Sequence, residues 1–234
     1  TRIPDYREES KKKSLFLFGP RQTGKTFLLK KLFPESPFYN LLLSDLFLRL
    51  TQSPQLLREE LIARGKDLIQ PVIVDEIQKL PLLLDEIHYL IEEHNIRFII
   101  TGSSPRKLKR GGANLLAGRA RTRHLFPLVT AEIPEFQINR ILNFGSLPFV
   151  YLSDEPEEDL LAYCGNYLQE EIQAEGVVRR IENFSRFLRV AAQMNGEMLK
   201  FEAAASDMGI PARTVREYFY ILEDTLVGFL LKPF

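Results

Sequence analysis

The sequence predicts an α/β fold, a mainly parallel sheet with helices on both faces, followed by a helical second part. Short apolar runs recur through the first half, and most are followed by a segment of helical spacing. Beyond Leu160 helical spacing continues with no buried strand until the last residues.

Ser14 to Phe18 is an apolar run that stops at Gly19-Pro20, as a buried strand stops at a loop. From Thr26, the residues Phe27, Leu28, Leu29, Leu32 and Phe33 recur at helical spacing until Pro34, which cannot continue a helix. Phe38 to Leu43 reads as a second strand, and the helical stretch from Gln55 to Arg64 ends on Gly65. Pro71 to Val74 forms a third strand, closed by Asp75-Glu76. Leu82 to His94 carries Leu83, Ile87, Leu90 and Ile91 on one helical stripe. Arg97 to Ile100 is a fourth strand that ends in Thr101-Gly102-Ser103-Ser104. Pro134 and Pro148 then punctuate the chain, and three parts are expected: a core over 1–130, a helical lid and linker over 131–180, and a helix-turn-helix over 181–234.

Composition narrows the function classes. With 234 residues, 45% hydrophobic and 26% charged, the chain is long and apolar enough to fold around its own core, which excludes a peptide hormone or a disulfide-stapled mini-protein. Lys+Arg and Asp+Glu both number 31, so no global positive field draws nucleic acid, and any DNA contact must be local. Cys164 is the single cysteine and cannot make an internal disulfide, which points to the cytoplasm; His88, His94 and His124 are too scattered for a metal cluster. No apolar run approaches the roughly 18 residues of a membrane span, so no membrane partner is expected. The chain opens on Thr1 rather than Met, which suggests processing or preceding residues.

The strongest chemical signal is Gly19-Pro20-Arg21-Gln22-Thr23-Gly24-Lys25-Thr26, which matches G-x-x-x-x-G-K-[ST] between a strand and a helix, the context a P-loop requires. Such glycines let successive backbone N–H groups turn inward onto phosphate oxygens, and the helix that follows adds its positive amino end. Lys25 would reach the β- and γ-phosphates, and the Thr26 hydroxyl would take one site on Mg²⁺. Val72-Ile73-Val74-Asp75-Glu76 supplies the second element: Asp75 for magnesium and Glu76 for the attacking water. Taken alone it would read as an ordinary polar strand end; paired with the glycine loop it reads as the acidic half of a hydrolytic site.

Ser103 is the candidate to stand beside the γ-phosphate, with a helix N-cap at Ser103 or Ser104 as the alternative. Between Pro105 and His124 lie Arg106, Lys107, Lys109, Arg110, Arg119, Arg121 and Arg123, with no acidic residue. Arg119 or Arg121 is a candidate arginine finger, acting within the chain or from a neighbouring subunit. Phosphate-backbone contact with DNA and a solvated stretch balanced by Asp154 to Asp159 are the alternative readings of the block.

Phe201 to Arg216 has the spacing of a helix-turn-helix: Ala205 permits close crossing, Gly209 allows a left-handed turn, and Ile210 and Val215 fill the space between helices. The second helix would present Arg213 and Arg216 to a DNA groove, although Glu217, Glu223 and Asp224 weaken that case; use for packing or protein contact stands beside it.

The combination FGPRQTGKT, VDEIQKLP, TGSSPRKLKRGGANLLAGRA and GSLPFVYL, followed by YLQEEI and the late helix-turn-helix, resembles a family of prokaryotic AAA-superfamily ATPases over nearly the whole chain. The resemblance implies a core of the signal-transduction branch of P-loop NTPases, a helical lid and a winged helix. It implies ATP over GTP, in keeping with the absence of an N-K-x-D tetrad. It carries the Walker A role onto Gly19 to Thr26, the Walker B role onto Asp75 and Glu76, and a sensor role onto Ser103. Gly145-Ser146-Leu147-Pro148 resembles the lid's glycine-x-proline element with Ser146 in place of glycine, which makes Pro148 a candidate adenine contact. Many relatives continue into a restriction-endonuclease-like domain where this chain stops at Phe234, so nuclease activity is not expected of these residues.

The leading expectation is an Mg²⁺-dependent ATPase acting as a conformational switch, coupled to DNA or to a protein partner, with a homo-oligomer implied if an arginine acts from a neighbour. The competing expectations are an ATP-liganded DNA-binding regulator with negligible turnover and a small-molecule kinase.

Overall fold

A computed structural model describes residues 2–103, 108, 116–133, 135–175 and 181–231. Five strands form one sheet: β1 Ser14–Phe18, β2 Phe38–Asn40, β3 Val72–Asp75, β4 Phe98–Gly102 and β5 Ala120–His124. Their order is β2-β3-β4-β1-β5 and every pairing is parallel. The wholly apolar runs occupy the middle, because a central strand of a covered parallel sheet is buried on both faces; β1, β3 and β4 are buried at every position. Both edges are more polar: β2 is half-buried on either side of Tyr39, and four of the five residues of β5 are exposed. That exposure explains why Ala120–His124 carries no apolar signature and forms a fifth strand beyond the four read from the sequence.

Helix α1 Arg7–Lys12 precedes β1, and α2 Lys25–Leu32, α3 Ser44–Gln52, α4 Gln55–Arg64 and α5 Leu83–His94 connect the first four strands. Side chains alternate across the pleat. Leu15, Leu17, Ile73 and Ile99 therefore share one face, where they cluster with Leu28 and Leu29 of α2 and with Phe33, Tyr6 and Leu125. Phe16, Phe18, Val72, Val74, Phe98 and Ile100 alternate with them and are equally buried. The second strand ends at Asn40 rather than Leu43 because the chain turns there: Leu42 N–H donates to Asn40 Oδ1 at 3.0 Å and Leu43 N–H to Asn40 O at 3.1 Å.

The amino-terminal segment is held by a buried ion pair. Arg2 Nη1 lies 3.1 Å from Glu132 Oε2, and both side chains are nearly inaccessible, at 9% and 2% of full exposure. The same carboxylate accepts from Ile3 N–H at 2.8 Å and Val129 N–H at 3.2 Å, while Arg2 Nη2 donates to Phe126 O.

The chain divides into two compact units, Thr1–Phe136 and Gln137–Phe234. The second contains α6 Ile138–Phe144, α7 Pro148–Tyr151, α8 Pro156–Glu175, α9 Ile181–Gln193, α10 Phe201–Met208 and α11 Ala212–Asp224. Phe184 and Phe187 of α9 pack edge-on against Tyr218 of α11, over Ala204, Ala205, Val215 and Leu222. Gly209 takes φ +64° and ends α10, with Ile210 N–H donating to Ala205 O at 3.2 Å, so the turn into α11 needs the left-handed conformation glycine supplies. Among the described residues this unit holds helices and turns; a wing is not among them.

Candidate nucleotide site

The glycine loop leaves β1 at Phe18 and is locked to the neighbouring edge strand at its first residue. Leu125 N–H donates to Phe18 O at 2.8 Å, and a Cβ placed on Gly19 would stand 2.2 Å from Leu125 O. At the far end Gly24 takes φ +84° and opens α2 from the left-handed region, where a side chain would be strained. Between them Thr23 Oγ1 donates to Pro20 O at 2.9 Å and Gln22 sits at φ +60°. Lys25 is buried, and its Nζ donates to Gly19 O at 2.8 Å and Pro20 O at 2.9 Å, which draws the ammonium across the loop. Arg21 is half-buried on the loop.

Gly19→Ala is expected to force the loop away from β5, because the obstructing atom is backbone and cannot rotate aside. Overpacking of this kind costs about 1–3 kcal/mol. Thermal denaturation should show a lowered midpoint, and titration with a fluorescent ATP analogue a weaker affinity; an unchanged midpoint and affinity would refute the role given to this contact.

The acidic half is assembled by strand order. β4 lies between β1 and β3, so its carboxyl end meets both halves of the site. Val74 pairs with Ile100, Leu17 with Thr101 and Phe18 with Gly102, which sets Thr101 next to Asp75 and brings the two strands to their ends together, just before Gly19 and Ser103. Asp75 is 1% exposed and accepts two hydroxyls: Thr26 Oγ1 at 2.8 Å on Oδ2, and Thr101 Oγ1 on Oδ1. Thr101 Oγ1 in turn accepts from Glu76 N–H at 3.1 Å. One hydrogen-bonded chain thus runs from the loop threonine through Asp75 and Thr101 to the backbone of Glu76.

Glu76 sits at φ +63°, a conformation that costs a non-glycine residue about 1–3 kcal/mol and is kept where surrounding contacts enforce it. Its carboxylate accepts from the Gln78 side-chain amide. Ser103 is 3% exposed and its hydroxyl has no hydrogen-bond partner among the described residues.

Thr101 and Gln78 are the residues that sequence reasoning missed. Thr101 stands in the TGSS motif already singled out, yet its importance depends on β4 being inserted between β1 and β3. Gln78 lies within the VDEIQKLP motif, but its contact depends on the left-handed turn at Glu76.

Arg119, Arg121 and Arg123, the described part of the basic block, are placed elsewhere. Ser14 pairs with Ala120 and Leu15 with Arg121, so Arg119 and Arg121 stand toward the amino end of the sheet, Arg121 about 13 Å and Arg119 about 20 Å along the strands from the glycine loop at a rise of ~3.3 Å per residue. Arg119 is ion-paired with Glu92 of α5, while Arg121 and Arg123 both reach Glu9 of α1, at 3.3 and 2.5 Å. The expectation that Arg119 or Arg121 acts on a phosphate held by its own chain is therefore corrected: both are at the opposite strand ends and are balanced by carboxylates there. Ser104, Pro105, Arg106, Lys107, Lys109 and Arg110 lie outside the described residues.

His124 closes β5 between the rings of Phe18 and Phe126, whose partial desolvation of the imidazole lowers its pKa below the usual histidine range. Pro148 opens α7 in the second unit, half-buried. Arg213 and Arg216 are exposed on α11, with the Arg216 guanidinium 5.0 Å over the ring of Phe201. Among the described residues no group of three or more His, Cys, Asp and Glu could hold a metal by itself, and no helix is long and apolar enough to cross a membrane.

Residues 11–134 match a family described as an AAA domain, and residues 135–234 match a domain of unknown function. An uncharacterized protein of Methanocaldococcus jannaschii is 24% identical over 295 aligned positions, which take in 100% of this chain and 59% of that protein. The chain thus spans less than two thirds of that relative's length.

Proposed function

We propose, for a chain that belongs to the AAA domain family, that the first unit binds and hydrolyses ATP with Mg²⁺ and that the exchange of ATP for ADP is a conformational switch. The observation that carries this reading is the continuous bond path Thr26–Asp75–Thr101–Glu76, which joins the phosphate loop to an acidic pair.

Thr26 and Asp75 offer hard oxygen atoms, one of them a nearly inaccessible carboxylate, and this donor set fits a cation that prefers oxygen and retains water and phosphate ligands. Bound there, Mg²⁺ would neutralise charge on the β- and γ-phosphate oxygens. The loop backbone from Gly19 to Thr26 cradles the phosphates. Lys25 exchanges the carbonyls of Gly19 and Pro20 for phosphate oxygens and so stabilises their charge. Glu76 accepts a proton from the attacking water, and Ser103, buried with an unsatisfied hydroxyl beside the loop, senses the γ-phosphate.

The sequence resemblance supports ATP over GTP and makes Pro148 an adenine contact from a lid over 131–180. It supports a winged helix over 181–234, and the single cysteine, Cys164, supports a cytoplasmic protein. An arginine finger would come from a neighbouring copy, because Arg119 and Arg121 stand far from their own loop.

A second reading is an ATP-liganded regulator with negligible turnover that meets DNA through Arg213 and Arg216. Their joint exposure on one helix favours it, and the half-buried Glu217 and Asp224 on the same helix oppose it.

Phosphate release from ATP and GTP, with Mg²⁺ or with chelator, with and without duplex DNA, tests both readings. The ATPase reading expects ATP-selective, Mg²⁺-dependent turnover that falls at least ~100-fold in Lys25→Ala, since a charged transition-state contact is removed. ATP binding without release under any of these conditions would favour the regulator.

A further inference from the structure

Gln78 lies two residues beyond the acidic pair, and its carboxamide is hydrogen-bonded, among the described residues, at its nitrogen end only. The amide nitrogen donates to Glu76 Oε2. The amide oxygen is buried, has no hydrogen-bond partner among the described residues, and packs against the end of β4, where a Cβ on Gly102 would stand 2.9 Å from it. The nitrogen must be the atom toward Glu76, because the oxygen there would face a carboxylate.

A side chain that merely filled space would not need a carboxamide here. Leaving a polar atom buried without a partner costs about 1–3 kcal/mol, and an apolar side chain of the same length would avoid that cost. Gly102, which gives the amide room, directly precedes Ser103, whose hydroxyl is the other orphaned buried group at this strand end. Gln78 thus spans from the proposed base to the strand end that carries the proposed γ-phosphate sensor.

We propose that Gln78 is a positioning residue for hydrolysis: its amide fixes the Glu76 carboxylate in the direction of the attacking water, and its support against Gly102 ties that direction to the end of β4. The inference rests on the ATPase reading of the same site. Gln78 acts through Glu76 and holds neither nucleotide nor metal.

The test compares Gln78→Met, which keeps length and removes both polar atoms, with wild type, Gln78→Glu and Glu76→Gln. In Gln78→Met the expected result is a kcat lowered about tenfold with the KM for ATP within about twofold, the pattern of a misdirected base rather than lost binding. Gln78→Glu, which keeps size but removes the donor and sets a second carboxylate against Glu76, should fall at least as far.

A readout independent of turnover uses the protein without nucleotide. The Gln78 side-chain amide signals in a ¹H–¹⁵N spectrum, assigned by their loss in Gln78→Met, should move when Glu76→Ala is introduced. A kcat in Gln78→Met within twofold of wild type, with Glu76→Gln inactive, would overturn the inference alone. So would amide signals indifferent to Glu76→Ala, even if Gln78→Met also lost stability. Absence of turnover in the wild type, or full turnover in Glu76→Gln, would overturn the ATPase reading and the inference with it.

Discussion

Glu76→Gln is expected to lower ATP turnover by about 10²–10⁴-fold while ATP affinity stays within about twofold, because the substitution removes a general base and little else. The amide is nearly isosteric with the carboxylate, so the left-handed turn at φ +63° and the Glu76 N–H bond to Thr101 can both persist. Lys25, Thr26 and Asp75, which would bind phosphate and metal, are untouched. Stopped turnover with retained binding is the signature to look for, read as phosphate release beside equilibrium titration. Equal losses of affinity and turnover would instead make Glu76 part of the binding surface.

Glu132→Ala should destabilise the first unit by about 3 kcal/mol, since breaking one partner of a buried ion pair leaves the other charge uncompensated. The loss has identifiable parts. Arg2 loses its counter-charge in a setting where burial already pulls the guanidinium below its usual range, and Ile3 N–H and Val129 N–H lose their acceptor. Glu132→Gln keeps an acceptor oxygen and should cost less. Urea denaturation followed by a probe in the first unit would measure the difference; equal stabilities of wild type and Glu132→Ala would show that the pair contributes nothing net.

The central strands were legible because burial on both faces writes itself as an uninterrupted apolar run: Ser14 to Phe18, Val72 to Val74 and Phe98 to Ile100 needed no further information. β5 was not legible as a strand of its own, because Ala-Arg-Thr-Arg-His at a sheet edge leaves its side chains in water. α3 carries Leu46, Phe47 and Leu50 at helical spacing and could have been read, although Leu50 is its only buried residue.

The glycine loop was legible because its chemistry dictates consecutive residue types. The partners of Asp75 were only half so. Thr26 follows from the loop pattern, whereas Thr101 depends on strand order, which periodicity does not encode. Arg119, Arg121 and Arg123 show what one dimension hides: they read as part of a single-sign run, whereas α1 and α5 bring Glu9 and Glu92 to them.

The turn at Gly209 was readable from glycine and the apolar residues around it, and α10 and α11 meet there over a shared core.

The central claim is that the glycine loop and the Asp75–Glu76 pair act together on Mg²⁺ and ATP. It is tested most directly by titrating the purified protein with ATP in Mg²⁺ by calorimetry and following phosphate release in the same sample. The account predicts binding of about one ATP per chain, release of phosphate over many turnovers, and loss of that release on chelation of the metal. Failure of ATP to bind at millimolar concentration in the presence of Mg²⁺ would contradict it.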